Sequence, residues 1–276
     1  MFLLAGSAIT IKYVNDGEFI NRGITFAGGI SVTLQESVNM EPIELRDQLR
    51  QEYPDFEVNY RLLGGVGGSG QDVIIESNIQ PDNPLSDELV DRIIEITGID
   101  DDNVSVERIG AEFGDSFFRQ MFTALFIAFI FMGTVVFFYF RTFIPSMAVI
   151  LAAIFNIVVT VAIVNTLGLQ MGTAGVAGLL MLIGYSIDTD ILLTTRMLKE
   201  KRGDVNKRIL DAMTTGLTMT VSTGIALLIA YLFVSSEVLR EVALVVMIGL
   251  LVDVVSTYIQ NASLLKWYLE ATGTSR

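Results

Sequence analysis

Residues 169–198 read "LQMGTAGVAGLLMLIGYSIDTDILLTTRML". The part covering 169–193 is apolar enough, and long enough at about 1.5 Å per residue, to cross a hydrocarbon core of ~30 Å as a helix. Two carboxylates, Asp188 and Asp190, interrupt it. A charge at the centre of such a helix costs at least ~2.5–3.5 kcal/mol, so it must be neutralised, paired or hydrated. Four more apolar segments lie at 117–140, 143–165, 209–234 and 238–265. The fold class expected is an α-helical polytopic membrane protein.

Composition divides the chain in two. Hydrophobic residues make up 51% of the 276, and the mean hydropathy is +0.56, too apolar for an ordinary soluble domain. Yet residues 12–115 hold 22 acidic and only 7 basic residues. An acidic, water-soluble domain over 12–115 and a membrane domain over 116–276 are expected. The absence of Cys excludes disulfide and thiol chemistry. The absence of His removes the commonest metal ligand and the side chain that titrates near neutral pH. No catalytic residues, metal or cofactor are expected. The acidic domain should repel nucleic acid.

The first ten residues, "MFLLAGSAIT", are apolar but span only half a bilayer before Lys12. They lack the basic region and cleavage site of a signal peptide. Residues 1–11 are expected to be the remnant of a first membrane span; a short buried strand or a leader is the other reading.

The acidic region alternates between two periods. "GITFAGGISVTL" (23–34), "DFEVNYRLL" (55–63), "QDVIIESN" (71–78) and "DNVSVERIGAEF" (102–113) have strand character. "EPIELRDQLRQEY" (41–53) and "LSDELVDRIIEITG" (85–98) have helical spacing, the second with Ser86 as N-cap and Gly98 as a stop. The order β-α-β-β-α-β predicts a ferredoxin-like domain. "GGVGGSG" (64–70) resembles a phosphate loop but lacks the Lys-Ser/Thr ending and does not lead into a helix, so it is expected to join two strands.

Charge in the connections sets an expected orientation. Arg196, Lys199, Lys201, Arg202, Lys207 and Arg208 fall at 194–208, placing that loop in the cytoplasm with Arg141 and the C-terminus after Lys266. The connections at 165–170 and 235–241, and the acidic domain, then lie outside.

Asp188 and Asp190 are turned about 200° apart on a helix, so they do not face one partner together. Asp190 shares a stripe with Ser186 and Thr194; Asp188 shares one with Gly184, Tyr185 and Thr195. Counted from Gly168, Asp188 falls about 27–30 Å along, towards the cytoplasmic end. Asp253 is about twelve residues from Glu241 and thirteen from Lys266, near mid-span. It is read either as an ion-handling group or as a hydrogen-bonding tie between helices. Asn156, the small residues of 172–178 and the hydroxyls of 209–234 are read chiefly as packing features.

"GITFAGG" (23–29), the soluble domain between the first two spans, and "LIGYSIDTDILLTTRML" (182–198) together resemble SecF, a membrane subunit of the SecDF accessory complex of the Sec protein-export machinery. The Asp-Thr-Asp form resembles an archaeal member. The resemblance covers nearly the whole chain and implies six spans. It also implies SecD, a SecYEG-type translocon, a translocating polypeptide and the lipid bilayer as partners. In bacterial members, proton flow is proposed to drive the external domain. Carried over by residue, it marks Gly23, Phe26, Gly28 and Gly29, with Thr25 where the family has Asp, and Gly184, Tyr185 and Ser186. Arg196 lies near the end of the second motif. Asp188-Thr189 stands where bacterial members have Asn-Asp, Phe155-Asn156 where they have His-Asp, Thr218 near their membrane Arg, and Asp253 where they have a small residue. Asp188, Asp190 and Asp253 are the candidate proton or ion relay.

Overall fold

A computed structural model describes residues 20–34, 42–63, 72–199, 204–234 and 236–272, together with Gly6 and Thr10. The glycine run 64–70 and nearly all of the expected span remnant at 1–11 lie outside the described residues.

The acidic region forms one four-stranded antiparallel sheet of order β2-β3-β1-β4. The strands are β1 Gly29–Leu34, β2 Val58–Leu63, β3 Asp72–Ser77 and β4 Val104–Ile109. β1 is central, pairing Val32 with Ile75 of β3 and with Val106 of β4. Side chains alternate across a strand, so Ile30, Val32 and Leu34 share one face. They bury against Leu45 and Leu49 of α2 (Pro42–Glu52) and Leu89 and Ile93 of α3 (Leu85–Thr97). The four-residue spacing within each helix turns these residues to the sheet. This is the ferredoxin-like order.

Three local expectations are corrected. Residues 23–34 are not one strand: Ile24–Ala27 form a helical turn, α1, and only Gly29–Leu34 pair in the sheet. The break comes at Gly28 and Gly29, whose φ values of 76° and 140° disfavour any side chain. Ser86 is not the cap of α3; it lies inside the helix and its hydroxyl donates to the Pro81 carbonyl, while Asn83 Oδ1 accepts the Leu85 N–H. Strand β4 stops at Ile109, and Ala111 already opens a 30-residue helix, so Gly110 is the one residue between the last strand and that helix. Gly98 does end α3, in the left-handed region.

Five helices are long and apolar enough to cross a membrane among the described residues. They are α4 Ala111–Phe140, α5 Phe143–Thr166, α6 Thr173–Lys199, α7 Val205–Phe233, and a continuous last span. That span comprises α8 Glu237–Val255, a π-helical turn Ser256–Asn261 and α9 Ala262–Ala271. The protein is a membrane protein. Most of α5 is buried in the bundle, whereas only 11% of the apolar windows of α4 and α7 is covered, leaving those two to face lipid or another chain. Helices α6 and α8 approach closely: a Cβ on Gly178 would meet Val245 and the Val242 carbonyl within 3.3 Å.

Two span boundaries move enough to matter. Residues 169–172 are not helical; Met171 bridges to the chain beside Arg22, and α6 runs from Thr173 to Lys199. Asp188 is therefore about 22 Å from the start of its helix, near the middle and not the end. Helices α6 and α7 also absorb most of the basic stretch 194–208: α6 runs on to Lys199 and α7 starts at Val205.

The sheet domain is pinned to the bundle by the chain before β1. Gly23 N–H donates to Met171 O at 3.0 Å, and Met171 N–H returns to Asn21 O at 2.8 Å. Asn21 donates two further hydrogen bonds to Asn165, from its backbone N–H to the side-chain oxygen at 3.0 Å and from its amide nitrogen to the backbone carbonyl at 3.3 Å. Phe26 packs edge-on to Phe118 of α4. A Cβ on Gly28 would stand 2.7 Å from the Ala111 nitrogen, so the chain crosses α4 only because Gly28 has none.

Candidate functional site

Helices α5, α6 and the last span converge on two carboxylates. Asp253 is 1% exposed and Asp190 fully buried. Asp253 Oδ1 accepts from Asn156 Nδ2 of α5 at 3.1 Å and from Ser186 Oγ of α6 at 2.5 Å. Its Oδ2 accepts from Thr189 Oγ1 at 2.8 Å. Thr160, one turn from Asn156, donates to the Asn156 side-chain oxygen and holds that amide in place.

Asp190 is bonded differently. Its Oδ1 accepts from Asn261 Nδ2 at 2.8 Å and from Thr257 Oγ1 at 3.0 Å. The Thr257 hydroxyl lies 3.4 Å from Asp253 Oδ1 as well, so one hydroxyl stands between the two carboxylates. Asp190 Oδ2 is buried with no hydrogen-bond partner.

Local geometry explains the convergence. Asp253, Thr257 and Asn261 are successive i,i+4 positions, and in a regular α-helix each such step overshoots by about 40°. The wider π-helical turn from Ser256 to Asn261 offsets that drift and keeps all three side chains towards α6. Ser186, Thr189 and Asp190 occupy the facing stripe of α6, all at most 1% exposed.

No ion pair among the described residues reaches Asp190 or Asp253. The basic side chains near this end serve other contacts: Arg196 donates to the Thr215 hydroxyl of α7 at 3.3 Å, and Arg208 donates to the Met197 carbonyl at 2.9 Å.

A family model for the protein export membrane protein SecD/SecF C-terminal region matches residues 90–271. The chain is 35% identical to the protein-export membrane protein SecF of Pyrococcus furiosus, over 98% of this chain and 88% of that protein. It is 34% identical to SecF of Methanolacinia petrolearia, over 99% and 92%.

The chain belongs to the SecF family.

Its fold is also that of a crystal structure of SecDF, described as a translocon-associated membrane protein, from Thermus thermophilus. The TM-score is 0.73 at 21% identity, covering 97% of this chain but 37% of that one. The chain thus spans little more than a third of the SecDF polypeptide.

The residues marked by the SecF motifs separate into four places. Asp190, Asp253, Asn156 and Ser186 meet in the buried cluster. Asp188 and Gly184 lie on the opposite, exposed face of α6, with Tyr185 half-buried beside them. Thr218 is exposed on α7 and bonds only back to the Thr214 carbonyl, and Arg196 contacts α7. Gly23, Phe26, Gly28 and Gly29 form the joint between sheet and bundle. Four members of the cluster are not apparent from sequence reasoning: Thr160, Thr189, Thr257 and Asn261. The four-residue spacing in "DVVSTYIQN" (253–261) is the available signal for two of them.

Proposed function

We propose that this chain is the SecF-type subunit of a SecDF accessory complex, promoting Sec-dependent movement of polypeptides across the cell membrane. Family membership over nearly the full length of curated relatives carries this reading. The likeness in fold to part of a SecDF chain supports SecD as partner. A SecYEG-type translocon and the translocating polypeptide are the further partners. In this reading residues 12–115 form the external domain, 116–276 the membrane domain, and the basic connection 194–208 and C-terminus lie in the cytoplasm by the excess of Lys and Arg there.

Ion coupling is assigned to Asp190. It is fully buried, lacks a basic partner among the described residues, and has one oxygen without a donor. Asp253, with donors on both oxygens, is the fixed half of the pair. Asp188 faces outwards beside Gly184, where a helix can approach closely. A carboxylate exposed at mid-span requires a donor or cation from another chain, and SecD is proposed to supply it.

The test is export of a secretory reporter in cells or vesicles carrying Asp190→Asn, with copurification of SecD as the assembly control. Lost export with intact assembly is expected. Wild-type export by this variant sinks the ion-coupling reading and leaves a scaffold subunit that holds emerging chains. That second reading has its own support: Asp253 ties three segments together as a structural residue would.

A further inference from the structure

Beside the joint of sheet and bundle lies a cavity of about 450 Å³, lined only by apolar side chains among the described residues. That volume falls within the ~300–1,000 Å³ of ligand pockets. Its two walls are α4 and α5, with α6 behind, and Phe26 and Met171 close one end. Those two residues belong to the joint: Phe26 packs on Phe118, and Met171 exchanges backbone hydrogen bonds with Asn21 and Gly23. Along α4 the lining runs from Phe118 to Phe129. Eleven residues of helix rise about 16 Å, close to half of a ~30 Å hydrocarbon core. The cavity therefore has the depth of one leaflet.

Its open side faces the bilayer. Phe122 of α4 and Ile154 of α5 stand on opposite walls and are 44% and 38% exposed. Apolar cavities stay dry, so water is not the occupant. An extended polypeptide would bring backbone N–H and C=O groups into a wall that offers them no partner. An acyl chain brings neither, and it restores the dispersion contacts that an empty cavity forgoes.

A cation stands at the rim. The Arg22 guanidinium lies 4.1 Å from the centroid of the Phe118 ring, and Phe118 is itself a lining residue. Arg22 also pairs with Asp115 at 3.3 Å, where the carboxylate is 64% exposed. An exposed pair of this kind is worth at most about 1 kcal/mol, so a phosphate can share the guanidinium at little cost. Arg119 is exposed three residues before Phe122 on α4 and adds a second positive charge beside the opening.

We propose that this cleft binds one membrane phospholipid, with an acyl chain between α4 and α5 and the phosphate at Arg22. Because Phe26 and Met171 close the cavity, the bound chain buttresses the joint that seats the sheet domain. The site is separate from the buried carboxylates, and its test does not read export.

The experiment titrates the purified full chain in detergent with dioleoylphosphatidylglycerol or with dioleoylglycerol, which has the same chains and no phosphate, and counts bound lipid by native mass spectrometry. One phosphatidylglycerol, held at least tenfold more tightly than the diacylglycerol, is expected. Arg22→Gln should erase that preference while keeping diacylglycerol binding. Val158→Phe, which fills the cavity with an apolar ring, should weaken both lipids at least tenfold. A second measurement does not depend on that variant's folding. Phe129→Trp in a Trp267→Phe background is placed in phosphatidylcholine vesicles holding a minor fraction of lipid with brominated chains. Brominated phosphatidylglycerol should quench the fluorescence more than the same fraction of brominated phosphatidylcholine. Equal affinity for the two lipids in the wild type, or unchanged binding in Val158→Phe, overturns the proposal. So does the lack of excess quenching, the result expected if the chain's own residues before Ile20 fill the cleft.

Discussion

Glu241 at the start of α8 accepts the backbone N–H of Gly172 at 2.7 Å, and the same oxygen accepts that of Gly175 at 2.9 Å. A carboxylate on one helix therefore caps the N-terminus of another, where unpaired N–H groups and the helix dipole both favour negative charge. The α6–α8 pair is thus tied at two levels, at its end by Glu241 and at mid-span by Asp253.

Glu241→Ala should leave two N–H groups without a charged acceptor and destabilise the protein by about 1–2 kcal/mol, in the range of lost helix caps. Glu241→Gln keeps an acceptor and should recover roughly half of that. Thermal unfolding of both variants in one detergent decides this. Equal stability of Glu241→Ala and wild type would show that the cap is dispensable.

The Gly28 joint yields a contrast between two glycines with positive φ. Gly98 has open space around its missing Cβ, and Gly28 does not. Gly98→Ala should cost only the left-handed backbone penalty, about 1–2 kcal/mol. Gly28→Ala adds a collision with the first residue of α4, so its cost should exceed that of Gly98→Ala by about 1–3 kcal/mol. Proteolysis between sheet and bundle is expected in the Gly28 variant only. Similar Tm values for the two would refute the tight crossing.

In the sheet domain, Arg92 of α3 grips Glu52 of α2 through two hydrogen bonds of 2.9 Å. These bonds hold the Glu52 carboxyl below the ordinary glutamate value of 4.5. A depressed folded value means that the contribution is present above the unfolded value and lost as pH falls through the folded one. A Tm difference between wild type and Glu52→Gln is therefore expected at pH 7 and should vanish as pH falls well below about 4.5. Carbon-detected titration of Glu52 should show a midpoint under 4.5 that returns to normal in Arg92→Gln. An unshifted midpoint in the wild type would show the contact to be absent in solution.

Much of this architecture is legible in the sequence because the signals are strong and local. Five apolar runs define five helices, and alternating periods in 23–113 define the sheet and its helices. What the periods did not reveal were junctions. The strand reading of 102–113 overran because α4 begins within the polar stretch "AEFGDS", before any membrane signal. The start of the span at 169–193 moves to Thr173 because residues 169–172 carry no charge to mark the boundary, yet Met171 is held out of the helix by backbone hydrogen bonds to Asn21 and Gly23, partners about 150 residues away. The site was half legible. A helical wheel separates Asp188 from Asp190 and places Ser186 with Asp190. No wheel shows that Asp253 faces that stripe, because the relation is set by packing of α8 on α6. Thr257 and Asn261 align with it only through the π-helical turn.

The sharpest consequence concerns Asp253. Its carboxylate accepts from Asn156, Ser186 and Thr189 of two other helices; Thr189 can fall back on the Ser186 carbonyl, 2.9 Å away, but Asp253→Ala strands the Asn156 and Ser186 donors and opens a cavity. Each stranded polar group costs about 1–3 kcal/mol, although Asn156 and Thr160 can re-pair, which limits the total to roughly 3–5 kcal/mol. Asp253→Asn retains one acceptor oxygen and replaces the other by a donor facing the Thr189 hydroxyl, which can rotate to accept. It should cost no more than about 1–2 kcal/mol. Asp190→Asn should cost less still, since only one of its oxygens is hydrogen-bonded. The expected order of Tm is therefore wild type, Asp190→Asn, Asp253→Asn and Asp253→Ala, from highest to lowest. If Asp190→Asn proves more damaging to stability than Asp253→Asn, the assignment of Asp253 as the fixed carboxylate and Asp190 as the exchanging one is reversed.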